Sequence, residues 1–206
     1  MGNVGLLFVG AVLFVNAMML LGKASPRSAA IFNFFVGFLQ VITPLYIIFT
    51  AHGDPWTIFS AGGIFLFGFT YLYVGFVNWT GAPADGLGWY CLFVAAIAIG
   101  YSLVNFLHFG DLKFGLIWFE WAYLWFLFFL LLGLGKTLAV YAGWVTLIQA
   151  WLTGAVPAFL ELVGLWNSVP NSVFEIVFAA QVIAFVVLAP ITARMPVARE
   201  APRQAG

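Results

Sequence analysis

Seven long apolar runs, separated by short polar connectors, limit what this chain can fold into. They cover residues 4–22, 29–50, 58–77, 87–107, 115–133, 138–166 and 173–190. A helix needs about 20 mostly apolar residues to cross a bilayer, and each run approaches or exceeds that length. With 65% apolar and only 7% charged residues, the chain has too few charges to cover the surface of a water-soluble globule. The sequence therefore predicts an all-α, polytopic membrane bundle of seven transmembrane helices.

The connectors between the runs are too short to hold a soluble domain. They read "KASPRS", "AHGDPW", "NWTGAPADG", "HFGDLKF", "GKT" and "NSVPNS", all rich in turn-forming residues. We expect one transmembrane domain over residues 1–190 and a polar, disordered tail over residues 191–206. The sixth run is longer than one crossing needs and contains Pro157, so we expect a tilt or a kink near that residue. Pro44 predicts a similar bend in the second run.

The distribution of positive charge predicts the orientation. No Lys or Arg precedes the first run, so we expect a retained span and not a cleaved signal sequence. With the N-terminus outside, six basic residues fall on the cytoplasmic side and one, Lys113, falls outside, as the positive-inside rule requires. The cytoplasmic set is Lys23, Arg27, Lys136, Arg194, Arg199 and Arg203.

Several function classes lack the residues that they need. Basic and acidic residues are balanced at seven each, which gives no basic excess for a nucleic-acid partner. We expect no metal site and no cofactor, because Cys91 is the single cysteine and no Cys/His cluster has ligand spacing. The chain has no phosphate-binding GxxxxGK[ST] motif and no mid-span lysine for a retinal Schiff base. No nucleophile and base are paired as a membrane enzyme would need.

The fifth span carries tryptophans deeper than an interfacial aromatic belt reaches. Trp118, Trp121 and Trp125 are three and four residues apart and therefore share one helix face. At about 1.5 Å per residue from the start of the span, Trp125 lies roughly 15 Å deep. A belt at the membrane interface explains Trp118 but not Trp125. Tight packing between helices and the wall of a solute path both remain open for this face.

Polar side chains also occur inside the spans. Gln149 lies at about the same depth as Trp125, so its amide either bonds a neighbouring helix or lines a wet path. Asn16, Thr70 and Tyr71 are further polar groups, each more often a contact between helices than a solute contact. Glu120 lies roughly opposite the tryptophan face, and we expect it to contact protein or to carry a transported proton.

Six stretches resemble one known family in order along the chain. They are "LLFVGAVLFVN" (6–16), "FNFFVGFLQ" (32–40), "LFGFTYLY" (66–73), "WYCLFVA" (89–95), the "W..W...W" of span five and "W.TLIQAWLTGAVPAF" (144–159). Together they resemble the AmiS/UreI family of urea and short-chain amide channels. The resemblance implies a multi-pass protein of the bacterial inner membrane, assembled as a ring-shaped homohexamer, with a separate pore for small neutral amides or urea in each protomer.

The resemblance also implies which side chains line the pore. Carried onto matching positions, the lining includes Leu6, Leu13, Asn16, Phe67, Tyr71, Trp121, Trp125 and Gln149. The tryptophans would then form a slot for a flat, uncharged solute. Such a lining has no ring of fixed charge to replace the hydration shell of an ion.

Three departures separate this chain from the urea-channel branch. Gln149 stands where that branch has a carboxylate, and the short connector "AHGDPW" replaces a long outer loop with histidines. We expect His52 and His108 to be ordinary loop residues without a role in acid gating. The seventh span and basic tail are an extension of unknown role. A passive amide channel fits these features, and a proton-coupled transporter that uses Glu120 is the alternative.

Overall fold

The computed structural model describes residues 2–194, and these residues form a helical membrane bundle. Seven helices are long and apolar enough to cross a bilayer, as predicted. They are α1 (Gly2–Leu20), α2 (Pro26–Thr50), α3 (Pro55–Thr80), α4 (Asp85–Phe109), α5 (Leu112–Gly133), α6 (Ala139–Leu162) and α7 (Asn171–Thr192). Residues 195–206, which hold most of the predicted tail, lie outside the described range.

Local sequence explains where several helices begin. Ser25 and Asp54 are N-caps, each followed by a proline in the first helical position, where a missing N–H costs nothing. The Asp54 carboxylate accepts a hydrogen bond of 2.7 Å from the Thr57 amide. Hydrogen bonds from the Thr57 side chain and backbone hold the pKa of Asp54 below its usual value. Asp111 caps α5 in the same way, accepting from the Phe114 amide at 3.0 Å.

Glycines allow the closest helix crossings. A Cβ atom at Gly10 of α1 would lie 2.5 Å from the Ala155 nitrogen of α6, and one at Gly154 would lie 2.8 Å from the Gly10 Cα. The two backbones therefore touch directly, which is the packing that small residues provide in membranes. Gly88 of α4 and Gly133 of α5 make a similar contact.

Helix α6 contains a wider π-helical turn at Ala150–Ala155, just before Pro157. Proline has no N–H for the carbonyl four residues earlier, and a π turn is one way for a helix to accommodate that loss. The irregularity therefore occurs where Pro157 was predicted to bend the span. Helix α2 continues through Pro44 to Thr50, and a bend there stays a prediction.

The connectors form two groups at opposite ends of the bundle. At the Asn3 end, Asn3 donates to Glu161 at 3.4 Å and His108 stacks on Trp56 with ring centroids 3.7 Å apart. At the Lys23 end, Arg27 lies over the Trp79 ring at 4.7 Å. Helix α7 is the least buried span, with 17% of its most apolar window inside the bundle.

Candidate pore

An aromatic cluster lies inside the bundle between α3 and α5. It consists of Phe67 and the three tryptophans of α5, Trp118, Trp121 and Trp125, all buried. The Phe67 ring lies 5.9 Å, 4.8 Å and 4.7 Å from the rings of these tryptophans in turn, measured between centroids. The helical spacing of the tryptophans predicted their shared face, and that face points at α3.

Two threonines fix the deeper indoles. Trp121 Nε1 donates to Thr153 Oγ1 at 3.0 Å, and Trp125 Nε1 donates to Thr70 Oγ1 at 3.3 Å. Each threonine hydroxyl in turn donates a hydrogen bond to a backbone carbonyl one turn earlier in its own helix, at 2.7 Å for Thr153 and 2.6 Å for Thr70. Because both indole N–H groups are occupied, the rings present apolar faces and edges to their surroundings.

Two cavities meet at this cluster. The cavity toward the Asn3 end has a volume of about 500 Å³, and the cavity toward the Lys23 end has a volume of about 110 Å³. Phe67 and Trp121 line both cavities, so this pair forms the partition between them. The two spaces lie in series along the bundle, between α1, α3, α4 and α5, and Gln40 of α2 also lines the larger one.

Few polar groups face the two cavities. In the larger one, Gln40 and Asn105 use their amide N–H groups on backbone carbonyls, each at 2.8 Å. Their side-chain oxygens are left as acceptors. In the smaller one, Asn16 is paired with Asn33 by two hydrogen bonds of 3.0 Å and 2.7 Å. The Tyr71 hydroxyl lines this cavity and has no hydrogen-bond partner among residues 2–194.

Seven of the eight predicted lining residues border these cavities. Leu6 lines the larger cavity, Phe67 and Trp121 line both, and the smaller cavity adds Leu13, Asn16, Tyr71 and Trp125. Gln149 borders neither of them, and its side chain is fully buried. Its Nε2 donates to the Glu120 carbonyl at 3.0 Å, so it bonds a neighbouring helix, the first of the two alternatives for this residue.

Trp118 corrects one expectation from the sequence. The belt interpretation placed this residue at the membrane interface, but it is 9% exposed and lines the larger cavity. Its ring stacks on Tyr101 with centroids 4.5 Å apart. The interpretation was wrong because depth alone does not tell whether a shallow indole faces lipid or the bundle.

Sequence reasoning also missed residues of the larger cavity. Ser60, Asn105 and Asp111 line it near the Asn3 end. Their signal was weak because each lies close to the end of a span, where polar residues normally contact interfacial water. Tyr101 was overlooked for the opposite reason, since a tyrosine in an apolar span resembles ordinary packing.

Formal charge is nearly absent from the cavities. Within residues 2–194, no Asp, Glu, Lys or Arg lines the smaller cavity, and Asp111 lines the larger one. Glu120 points away from both and accepts a hydrogen bond of 2.8 Å from Gln181 of α7. The expected protein contact of this carboxyl group is therefore present. No cluster of three or more potential metal ligands occurs in the described range.

These features define a multi-pass helical membrane protein with two aromatic-walled interior cavities that are nearly free of formal charge. Residues 1–165 match the sequence model of the family described as "AmiS/UreI family transporter". The chain belongs to this family of membrane transporters and channels, as its sequence motifs predicted.

Individual relatives match over most of their length. The chain is 50% identical over 189 residues to the "Putative amidate substrates transporter protein" of Mycolicibacterium smegmatis, covering 90% of this chain and 89% of the relative. It is 50% identical over 171 residues to the "Putative transporter protein AmiS2" of Rhodococcus erythropolis, covering 82% and 83%. The closed-state structure of the Helicobacter pylori urea channel superposes with a TM-score of 0.73 at 30% identity, covering 79% of this chain and 98% of the channel.

Proposed function

We propose that the protein is a passive channel for small, neutral, planar amides, of the acetamide type and including urea. The observation that carries the proposal is the pair of cavities in series, separated by the Phe67 and Trp121 rings. A solute that displaces one of these rings slightly passes from one cavity to the other. The relatives named as an amidate transporter and a urea channel support this class of solute.

The polar groups of the proposed path suit the two edges of a primary amide. The N–H edge needs acceptors, which the free side-chain oxygens of Gln40 and Asn105 supply in the larger cavity. The carbonyl edge needs a donor, which the Tyr71 hydroxyl supplies in the smaller cavity. The flat faces of the solute pack against indole and phenyl rings.

Selectivity follows from what the lining lacks. An ion would lose its hydration shell between Phe67 and Trp121 without receiving fixed charges or a ring of carbonyls in return. Neutral amides lose only a few hydrogen bonds, which the cavity walls partly replace. Weak binding also favours conduction, because a solute that is held tightly leaves slowly.

The membrane setting completes the proposal. We place the Asn3 end outside and the Lys23 end in the cytoplasm of a bacterial inner membrane, because Lys23, Arg27, Lys136 and Arg194 lie at the latter end. The chain assembles as a homohexamer with one path in each protomer, and the eight predicted lining residues, Gln149 included, are candidate determinants of that path. Gln149 would act through its bond to α5.

The test is stopped-flow light scattering on purified protein in vesicles. We expect acetamide and urea to enter faster than in protein-free vesicles, and glycerol and potassium ions to show little added permeability. Trp125→Ala alters amide flux or selectivity, whereas the matched change Trp56→Ala, in the first turn of α3, leaves both near the wild type. Equal effects of the two substitutions would remove Trp125 from the path.

A proton-coupled transporter is the second candidate, since Glu120 is a carboxyl group inside the membrane span. The two candidates differ in the final distribution of solute. A channel equilibrates labelled acetamide across the vesicle membrane under an imposed proton gradient. Accumulation above the external concentration would instead support coupled transport through Glu120.

A further inference from the structure

Helix α7 lies beyond the part of the chain that defines the family, yet it is anchored by buried polar contacts. The family match ends at residue 165, and α7 begins at Asn171. Only Phe174, Gln181, Phe185 and Thr192 of this helix are buried, so α7 touches the bundle along one narrow stripe. Because such a helix makes few apolar contacts with the bundle, hydrogen bonds contribute more to fixing its rotation about its own axis.

Side chains of α5, α6 and α7 make these bonds. Gln181 Nε2 donates to Glu120 Oε1 at 2.8 Å. One turn further along α7, the Phe185 carbonyl accepts from the Tyr141 hydroxyl at 3.2 Å, and Tyr141 in turn bonds Tyr123 of α5 at 2.6 Å. The first anchor joins α7 to α5 directly, and the second joins α7 to α5 through Tyr141 of α6.

The Gln181 anchor is connected to the partition between the cavities. Gln149 donates to the Glu120 carbonyl, which belongs to the peptide bond that joins Glu120 to Trp121. The Gln149 carbonyl accepts from Thr153 Oγ1, and this oxygen accepts from Trp121 Nε1 at 3.0 Å. The backbone and the indole of Trp121 are therefore both held by one network that begins at Gln181.

The centre of this network has more acceptors than donors. Glu120 Oε2, Gln149 Oε1 and Gln181 Oε1 are buried and have no hydrogen-bond partner among the described residues. Leaving three acceptors unpaired in an apolar site is costly, and a carboxylate charge would add to that cost. A proton on Glu120 turns one of these three acceptors into a donor and removes the charge.

We propose that α7 is a positioning element for the amide path, in which Gln181 and a neutral Glu120 fix the place of Trp121 opposite Phe67. This inference rests on the proposed channel function and assigns a role to the helix outside the family pattern. Loss of the Gln181 bond lets Trp121 shift and widens the partition. Larger amides then pass more easily, while the bundle itself persists.

The experiment compares the butyramide and acetamide permeabilities of vesicles that hold equal amounts of protein. Gln181→Leu keeps the size of the side chain and removes its polar atoms. We expect the butyramide-to-acetamide ratio to rise about threefold, the factor that corresponds to one hydrogen bond between helices in a membrane. Glu120→Gln keeps a neutral donor and acceptor, so its ratio stays within about twofold of the wild type.

Further variants separate positioning from folding. The double variant Glu120→Gln with Gln181→Glu exchanges the two partners, so we expect it to keep the wild-type ratio. Ile183→Ala is the matched control, because this side chain is 64% exposed on the same helix. If Gln181→Leu does not elute from size-exclusion chromatography at the position of the wild-type assembly, Gln181→Asn is used in its place. The asparagine keeps the amide group but is one methylene shorter than glutamine.

The outcomes distinguish this inference from the function on which it rests. A wild-type protein that conducts amides, together with Gln181 variants that keep the wild-type ratio, overturns the role of α7 alone. A wild-type protein that conducts no amide overturns the channel function itself. A raised ratio in Gln181→Leu, together with a wild-type ratio in the partner-exchange variant, supports the positioning role.

Discussion

Replacing Phe67 by alanine tests the partition most directly. The Phe67 ring touches the rings of Trp121 and Trp125 at centroid distances of 4.8 Å and 4.7 Å. An aromatic pair contributes about 0.5–1.5 kcal/mol beyond its buried area. If the ring must leave one of these pairs for a solute to pass, its removal lowers the barrier by about 1 kcal/mol, or roughly fivefold in rate.

The assay is the initial rate of acetamide entry into vesicles, normalised to protein content. Phe67→Ala raises this rate about fivefold, by the argument from one aromatic pair, and weakens discrimination against glycerol, because the two cavities become one. Phe69→Ala is the control, since Phe69 is two residues away on the same helix and 49% exposed. A slower or unchanged rate in a correctly assembled Phe67→Ala protein would refute the reasoning, because Phe67 would then not restrict the path.

Three further predictions follow from features already described. Tyr71→Phe removes the free donor of the smaller cavity, so acetamide flux falls by about fivefold, while Tyr73→Phe, which changes a more exposed ring, leaves flux near the wild type when both are measured in vesicles. His52→Ala leaves the pH profile of transport unchanged, since His52 lies in a connector; loss of an acid response would assign it a gating role. Gly10→Leu forces α1 from α6, so detergent-solubilised protein melts at a lower temperature or fails to assemble, whereas retention of the wild-type melting temperature would disprove direct backbone contact.

Helix number and helix faces could be predicted because they depend on local sequence. The length of each apolar run gives the spans, and the spacing of Trp118, Trp121 and Trp125 gives their shared face. Capping residues such as Asp54 also mark a boundary from local chemistry. These properties do not require knowledge of how the helices pack.

The contacts of single side chains could not be predicted in the same way. The periodicity placed Gln149 at the right depth, but its rotation toward the Glu120 carbonyl depends on how α5 and α6 cross. Trp118 was assigned to the interface because its depth suited a belt, yet Tyr101 from α4 provides a buried stacking partner. The bond between Gln181 and Glu120 joins residues 61 positions apart, and no local pattern indicates it.

The wide turn at Ala150–Ala155 sets the angular position of everything that follows it in α6. A π turn holds one residue more than an α turn, so straightening it into a regular α-helix without deleting a residue would rotate the segment after it by about 100° relative to the segment before it. Glu161 would leave its place beside Asn3, although the apolar character of the span would be unchanged. The faces that α6 presents after this turn thus depend on its π geometry, and viable variants should either keep the turn with its extra residue or lose both together.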